Sequence, residues 1–204
     1  QVEFDDPSSI NIKEGKYVSE LKFNRTPEQA MKAKRLAGKN DFNYSCLDEV
    51  GQLLAVLTSS IKQGTIAEIG TGYGVGTAWM AANLTNDVFL ISIDNDRSKI
   101  NSVRTIFHQK NVKFIHSDWQ EILNYAPFQL IFADGGKAKE QHPNMLVEAL
   151  AVGGMILIDD LTPIEYWPKE WKGKTDKVRE YWLSHPHLQA VELRVTPKNS
   201  VIVA

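Results

Sequence analysis

The sequence predicts an α/β protein whose mostly parallel β-sheet is covered by helices on both faces. Five short apolar segments alternate with stretches of helical periodicity between residues 65 and 158. Such uninterrupted apolar runs are typical of strands buried on both faces of a parallel sheet. A glycine-rich turn directly follows the first apolar segment, as in sheets that bind a ligand at the strand ends. Two further apolar segments flank the turn 196–199 and indicate an antiparallel hairpin at the end of the chain.

Seven strands follow from these segments, and helices are predicted between them. Apolar residues that repeat every three or four positions mark each helix. The predicted strands are 65–69, 88–93, 112–116, 128–133, 155–158, 188–195 and 200–203, and the predicted intervening helices are 77–84, 100–107 and 138–150.

Two more helices are predicted before the glycine-rich turn. The first has Thr26 as N-cap, Pro27 at its first position, Gln29 as the partner in a capping box, and Gly38 as its end. The second begins near Ser45 and ends before Gly64. Its predicted core-facing stripe is Leu47, Val50, Leu54, Leu57 and Ile61.

Length and composition indicate one domain over residues 1–204, with an N-terminal arm and helix at 1–44 and a core at 45–204. Residues 1–25 are expected to form an irregular arm. The net charge of −2 gives the whole molecule no attraction for nucleic acid or an anionic membrane. Cys46 is the single cysteine, so an internal disulfide is excluded. We therefore expect a cytoplasmic protein without a membrane or nucleic-acid partner.

The glycine-rich turn, residues 67–77, predicts a binding site for a cofactor. It follows the pattern E-x-G-x-G-x-G, and a helix follows it. A dinucleotide-binding G-x-G-x-x-G frame does not fit, because the sixth residue counted from Gly70 is Val75. A phosphate-binding P-loop does not fit either, since no Gly-Lys-Ser/Thr triplet follows. Glu68 before the turn favours a ligand that carries a positive charge.

This turn resembles the first motif of the class I S-adenosylmethionine (SAM)-dependent methyltransferases. The resemblance implies a Rossmann-like fold with a seven-stranded sheet and SAM as the cofactor. The SAM-binding residues that it implies in this segment are Glu68, Gly70, Thr71, Gly72, Gly74, Gly76 and Thr77.

Acidic residues at the next two strand ends extend the predicted SAM site. Asp94 lies 24 positions after Gly70, where an acid commonly binds ribose hydroxyls, and Asn95 follows it. After the third strand, the resemblance implies that Asp118 contacts the adenine and that Trp119 stacks on it. Structural roles are also open: the acids can cap helices, with Asp96 as an alternative to Asp94, and Trp119 can lie in the core.

The ends of strands four and five resemble the catechol and caffeoyl-coenzyme A O-methyltransferase group. They carry D-x-x-K, from Asp134 to Lys137, and the pair Asp159 and Asp160. The resemblance implies Asp134, Asp159 and Asp160 as ligands of Mg²⁺ or Ca²⁺. It also implies catalytic roles for Asp134, which would contact SAM as well, and for Lys137 as the base, with Lys139 as the alternative. Asp160 departs from the usual asparagine, and the paired acids can also form a solvated turn.

The sequence therefore predicts a SAM-dependent O-methyltransferase that acts on a hydroxyl of a small acceptor, aromatic or a vicinal diol, with a divalent metal ion. One alternative is a metal-independent enzyme acting on nitrogen or on a tRNA base, because the N-terminal segment has a basic face. The other is a non-catalytic SAM-binding module. A homodimer through the N-terminal helices is a further possibility, and the aromatic loop with Trp167 is a candidate wall of the acceptor pocket. The residues of the basic face are Lys22, Arg25, Lys32, Lys34, Arg35 and Lys39.

Overall fold

A seven-stranded β-sheet forms the centre of the protein, as seen in a computed structural model that describes residues 26–204. Its strands are β1 (Gly64–Ile69), β2 (Val88–Asp94), β3 (Val112–His116), β4 (Phe128–Ala133), β5 (Leu150–Leu161), β6 (Val191–Thr196) and β7 (Asn199–Val203). The strand order is β3-β2-β1-β4-β5-β7-β6. The first five strands run parallel, and β7 is antiparallel to both β5 and β6. The predicted parallel sheet with a C-terminal hairpin is confirmed.

Helices cover both faces of this sheet and enclose two apolar cores. Neighbouring residues of β1 point to opposite faces, so that Ile66 belongs to one core and Ala67 to the other. The helices are α1 (Glu28–Lys39), α2 (Asp48–Ser60), α3 (Val75–Ala81), α4 (Arg97–Arg104), α5 (Gly136–Gln141), α6 (Pro143–Glu148) and α7 (Lys177–Ser184), with 3₁₀ segments at Trp119–Tyr125 and Ile164–Tyr166.

The start of α1 differs from the predicted capping box. Pro27 is the N-cap, and no side chain caps the helix. The Gln29 side chain instead donates to the Gln109 side chain at 3.0 Å, which ties α1 to the segment after α4. This tertiary contact takes Gln29 away from the helix end. The helix continues past Gly38 to Lys39.

Other features of the helices differ from the prediction, because apolar periodicity does not mark where a helix starts or ends. Leu47 precedes α2 and is 37% exposed, so it is not part of the core-facing stripe. The predicted helix over 138–150 is two helices, because Pro143 starts a new one. Helix α7, capped by Asp176, was not predicted.

The predicted arm at 1–25 lies outside the described residues. Within residues 26–204, none of the helices has both the length and the apolar character needed to cross a lipid bilayer.

The strand order places a cleft beside β1. The chain runs from β1 outward to β2 and β3 and then returns to β4 on the other side of β1. Loops after β1 and β4 therefore leave the sheet in opposite directions, which opens a crevice at the carboxyl ends of the strands. The candidate site lies at this edge.

Candidate functional site

The glycine-rich turn follows β1 and approaches the loop after β4 closely. Gly70 has a φ of +99°, a conformation that side chains other than glycine rarely adopt. A Cβ atom at Gly70 would lie 3.0 Å from the Gly135 backbone nitrogen. The turn therefore requires glycine both for its backbone conformation and for this contact.

A buried polar network supports the turn from below. The Glu68 carboxylate accepts hydrogen bonds from the Thr77 and Ser92 hydroxyls, and the Thr71 and Ser92 hydroxyls lie 2.6 Å apart. Burial raises the pKa of Glu68 to about 7, although both hydroxyl bonds oppose the shift. A Cβ at Gly76 would lie 2.6 Å from Glu68 Oε1, so glycine is needed here as well.

The predicted SAM-binding residues of the turn fall into two groups, one inside the fold and one at the cleft. Thr77 is fully buried and Gly74 packs beside Val103, so both support the turn from within the fold. Residues nearer the cleft line a narrow pocket of about 10 Å³. They include Glu68, Gly70, Thr71, Gly72 and Gly76 from the turn, together with Tyr44, Ser45, Cys46 and Asp134.

Asp94, at the end of β2, is held by backbone donors. Its two carboxylate oxygens accept from the Gly72 and Asp96 backbone N–H groups, each at 2.9 Å. Asp96 caps α4 by accepting from Ser98 and Lys99. The helix cap is therefore Asp96, and Asp94 is held at the mouth of the cleft.

A pocket of about 280 Å³ lies over these strand ends and is called the large pocket below. Its lining includes Gly70, Asp94, Asn95, Asp118, Trp119 and Lys137. Asp118 also accepts from the Gln120 backbone N–H and so caps the 3₁₀ segment that Trp119 begins. Both possible roles of Asp118, cap and pocket wall, are compatible with this position.

Three carboxylates converge at the ends of β4 and β5 and are called the acid cluster below. Asp134, Asp159 and Asp160 each offer an oxygen, and these oxygens lie within 4.8 Å of one another. The register explains this meeting, because Ala133 pairs with Ile158 and the next residues of both strands are acids. Asp160 has a φ of +63°, a left-handed conformation that aspartate and asparagine tolerate better than most residues.

Burial and the neighbouring acids raise the pKa values of two carboxylates in the acid cluster. Burial raises the pKa of Asp134 well above its ordinary value, and the charges of Asp159 and Asp160 raise it further. Burial likewise raises the pKa of Asp159 to about 6, against a lowering effect of the bond from the Asp160 backbone N–H. A cation nearby would relieve both effects.

Lys139 is the lysine that the fold brings to the acid cluster. Its ammonium is buried, donates to the Asp159 carbonyl oxygen at 2.7 Å, and lies 3.5 Å from Asp160 Oδ2. Lys137 is exposed and lines the large pocket instead. The predicted base, Lys137, is thus placed away from the acids, and the alternative, Lys139, is placed beside them.

A third pocket, of about 140 Å³, opens beside the acid cluster and is called the acid pocket below. Its walls come from residues 43–47 and Asn199. The predicted wall residue Trp167 is instead buried and donates to the Thr162 carbonyl at 2.9 Å. Residues 43–47 were not predicted to line a site, and the aromatic Tyr44 just before α2 was their only signal.

The predicted basic face is partly neutralised. Lys32 pairs with Glu28, and Lys34 pairs with Asp48. Lys22 and Arg25 lie outside the described residues. These ion pairs weaken the argument for a nucleic-acid substrate.

The donor set of the acid cluster suits a hard divalent cation. All three side chains offer carboxylate oxygens, the ligands that Mg²⁺ and Ca²⁺ prefer. Burial raises the pKa of Asp134 and of Asp159, and the charge of Asp160 raises both further, so a bound cation would favour the ionised forms of these two acids. The residues present therefore fit such an ion.

Comparison with known proteins agrees with this architecture. A protein family described as "Methyltransferase domain" matches residues 67–161. A "Putative O-methyltransferase" of Mycobacterium avium (strain 104) is 28% identical over 120 residues, which cover 53% of this chain and 53% of that protein. The chain thus spans about half the length of the curated relatives it matches.

Solved structures share the fold over most of the chain. The O-methyltransferase of tomaymycin synthesis from Streptomyces achromogenes, in complex with SAM, has a TM-score of 0.74 at 18% identity and covers 92% of each chain. An O-methyltransferase from Bacillus cereus, in complex with SAH, has a TM-score of 0.74 at 18% identity, with 92% of this chain and 94% of that chain covered. Residues 67–161 thus match a methyltransferase domain, and the chain as a whole shares the Rossmann-like fold of these O-methyltransferases.

Proposed function

We propose that this protein transfers the methyl group of SAM to a hydroxyl of a small acceptor, aromatic or a vicinal diol, with the help of Mg²⁺ or Ca²⁺. The observation that carries the proposal is the position of Asp134, which lines both the narrow pocket and the acid pocket. A donor beside the glycine-rich turn and an acceptor in the acid pocket would meet at this residue.

The large pocket is proposed to hold the adenosine part of SAM. The Asp94 carboxylate is fixed by two backbone bonds and can accept from ribose hydroxyls. Trp119 offers an aromatic face for the adenine ring. The methionine part would lie along the glycine-rich turn, with its ammonium directed at the narrow pocket that the buried carboxylate of Glu68 lines.

The acid cluster is proposed to bind the metal ion through Asp134, Asp159 and Asp160. Such an ion would lower the pKa of an acceptor hydroxyl that it binds, so that the hydroxyl would release its proton to solvent; the oxyanion would then take the methyl group, and SAM would leave as SAH. The Lys139 ammonium adds positive charge beside Asp160, which also favours the ionised hydroxyl. We therefore assign Lys139 an electrostatic role and assign no catalytic base to Lys137, which lines the large pocket.

The dimensions of the site favour a small acceptor and a dry reaction path. The acid pocket, at about 140 Å³, has room for one small ring, and the exposed ring of Tyr44 lies at its edge. The narrow pocket, at about 10 Å³, is at the lower limit for one water molecule. Methyl transfer from a sulfonium to an oxyanion neutralises charge, so exclusion of water assists it.

The test is product analysis with SAM that carries a deuterated methyl group. The protein is incubated with Mg²⁺ and, in separate reactions, with catechol, phenol and an aromatic amine. We expect a labelled monomethyl ether of catechol and much less product from phenol, which lacks the second hydroxyl. Labelled amine as the sole product would instead favour the nitrogen-acceptor alternative. Homodimer formation and cytoplasmic location remain predictions.

A further inference from the structure

We propose that Lys139 is the internal counter-charge of Asp160, and that this pair controls how strongly the acid cluster binds a divalent cation. The proposal rests on the proposed function, because it concerns the same acid cluster. It assigns Lys139 a positioning and charge-balancing role.

The burial of Lys139 is the first argument. Its side chain is 5% exposed, and an ammonium is rarely buried so far without a partner. The Asp159 carbonyl at 2.7 Å and Asp160 Oδ2 at 3.5 Å are the partners that the fold supplies. A lysine held in this way keeps its charge at a fixed distance from the acid cluster.

The charge count is the second argument. Around a bound cation all three carboxylates would be ionised, and together with one ammonium they would give the site a net charge of −2, which matches a divalent cation. Without Lys139 the net charge would be −3, and with asparagine at 160 it would be −1. Loss of Lys139 should therefore strengthen cation binding, and asparagine at 160 should weaken it. The two changes together should restore the net charge of −2 and the original affinity.

Asp160 is well suited to such a test. Its side chain is 68% exposed, so that asparagine can replace it without burying an unpaired group. Asparagine also tolerates the φ of +63° and keeps one oxygen available as a ligand. Its replacement therefore removes charge with little other change.

The experiment is calorimetric titration of Ca²⁺ into the full chain and its Lys139→Met, Asp160→Asn and double variants. We expect about tenfold tighter binding for Lys139→Met, about tenfold weaker binding for Asp160→Asn, and a double variant within about threefold of the original chain. Lys110→Met serves as the control, because this exposed lysine precedes β3, at the opposite edge of the sheet from the strand ends that carry the acids; its Ca²⁺ affinity should equal that of the original chain. If Lys139→Met binds Ca²⁺ more weakly than the original chain, or if both single variants lose Ca²⁺ affinity, the proposal is overturned while the metal site stays in place.

Thermal unfolding in EDTA tests the pair without any metal ion. Lys139→Met should lower the Tm more when residue 160 is aspartate than when it is asparagine, and equal losses would show that the two residues are not paired. If Lys139→Met does not fold, Lys139→Gln takes its place in both measurements. Absence of Ca²⁺ binding by the original chain and all variants would overturn the metal step of the proposed function and the second half of this proposal; unequal Tm losses in EDTA would still establish the pair.

Discussion

Aspartates lie in both halves of the cleft, at the end of β2 and at the ends of β4 and β5, but their surroundings differ. At the end of β2, the carboxylate of Asp94 receives hydrogen bonds from two backbone N–H groups. At the ends of β4 and β5, the carboxylates of Asp134 and Asp159 lie close to each other and have raised pKa values. Backbone donors already satisfy the acid at the β2 end, whereas the acid cluster is the proposed site of a cation.

A nucleoside-binding acid and a metal-binding acid can be distinguished by the groups that surround their carboxylates. An acid that backbone donors already hold is pre-organised to accept from a neutral hydroxyl. Acids that face one another repel, and their mutual repulsion is relieved only by a cation or a proton. Substitutions at the β2 end and at the acid cluster should therefore have different effects on SAM binding and on metal binding.

Replacement of Asp134 should have the largest effect. Asp134→Asn should lower kcat by about 100-fold or more, because it removes a charge at the meeting point of donor and acceptor. SAM affinity, measured by calorimetry, should change by less than about threefold, since it depends mainly on the β2 end. Glu140→Gln, an exposed acid on α5, is the control and should keep full activity. Retention of turnover by Asp134→Asn would contradict the assigned role.

The pH dependence of stability should report on Glu68. Its folded-state pKa is raised from 4.5 to about 7, so the neutral form is favoured in the folded protein. Its contribution is fully present below pH about 4.5 and is lost as the pH rises through about 7, a change of about 3 kcal/mol in the free energy of unfolding.

Chemical denaturation of the original chain and of Glu68→Gln between pH 4.5 and pH 8 checks this expectation. Glutamine cannot ionise, so the variant should lose the part of the pH dependence that Glu68 causes. The same slope in both proteins would show that Glu68 is not the titrating group. Methyl transfer does not enter this measurement, so it tests the support of the glycine-rich turn alone.

Replacement of Asp94 should weaken SAM binding without changing the acid cluster. Asp94→Asn turns an NH₂ group towards one of the two backbone donors and should raise the Kd for SAM by about 10- to 30-fold. Asp96→Asn is the matched control two residues away, because asparagine also caps helices well. A Ca²⁺ affinity that falls with Asp94→Asn would argue that the two halves of the cleft are not independent.

Trp119 should have the smallest effect of the four. Trp119→Ala should raise the Kd for SAM by about 3- to 10-fold, the usual value of one aromatic stacking contact. Trp119→Phe keeps a ring and should recover most of the affinity. If the two variants bind SAM equally well, the tryptophan does not stack on the adenine.

The sheet and the strand ends could be predicted from the sequence because buried parallel strands leave long apolar runs. The residues after those runs then fall at one edge, and this brings Asp94, Asp134 and Asp159 to the cleft. The prediction needed only strand boundaries, which the glycine-rich turn and the acidic residues mark clearly.

Features that depend on tertiary contacts could not be predicted in this way. Lys137 and Lys139 are two positions apart on a short helix, about 200° around its axis, so only the docking of α5 decides which one meets the acids. The predicted capping box of α1 was wrong for the same reason, since the Gln29 side chain bonds to Gln109, 80 positions away in the chain. The left-handed conformation of Asp160 likewise leaves no mark in the sequence.

The most direct test of the division between the two halves is the initial rate of methyl transfer to catechol at saturating SAM, measured in EDTA and in excess Mg²⁺. We predict a rate at least about 100-fold lower in EDTA, with full recovery when Mg²⁺ is restored. An equal rate under both conditions would contradict the proposed metal site, because methyl transfer would then proceed without a cation at the acid cluster.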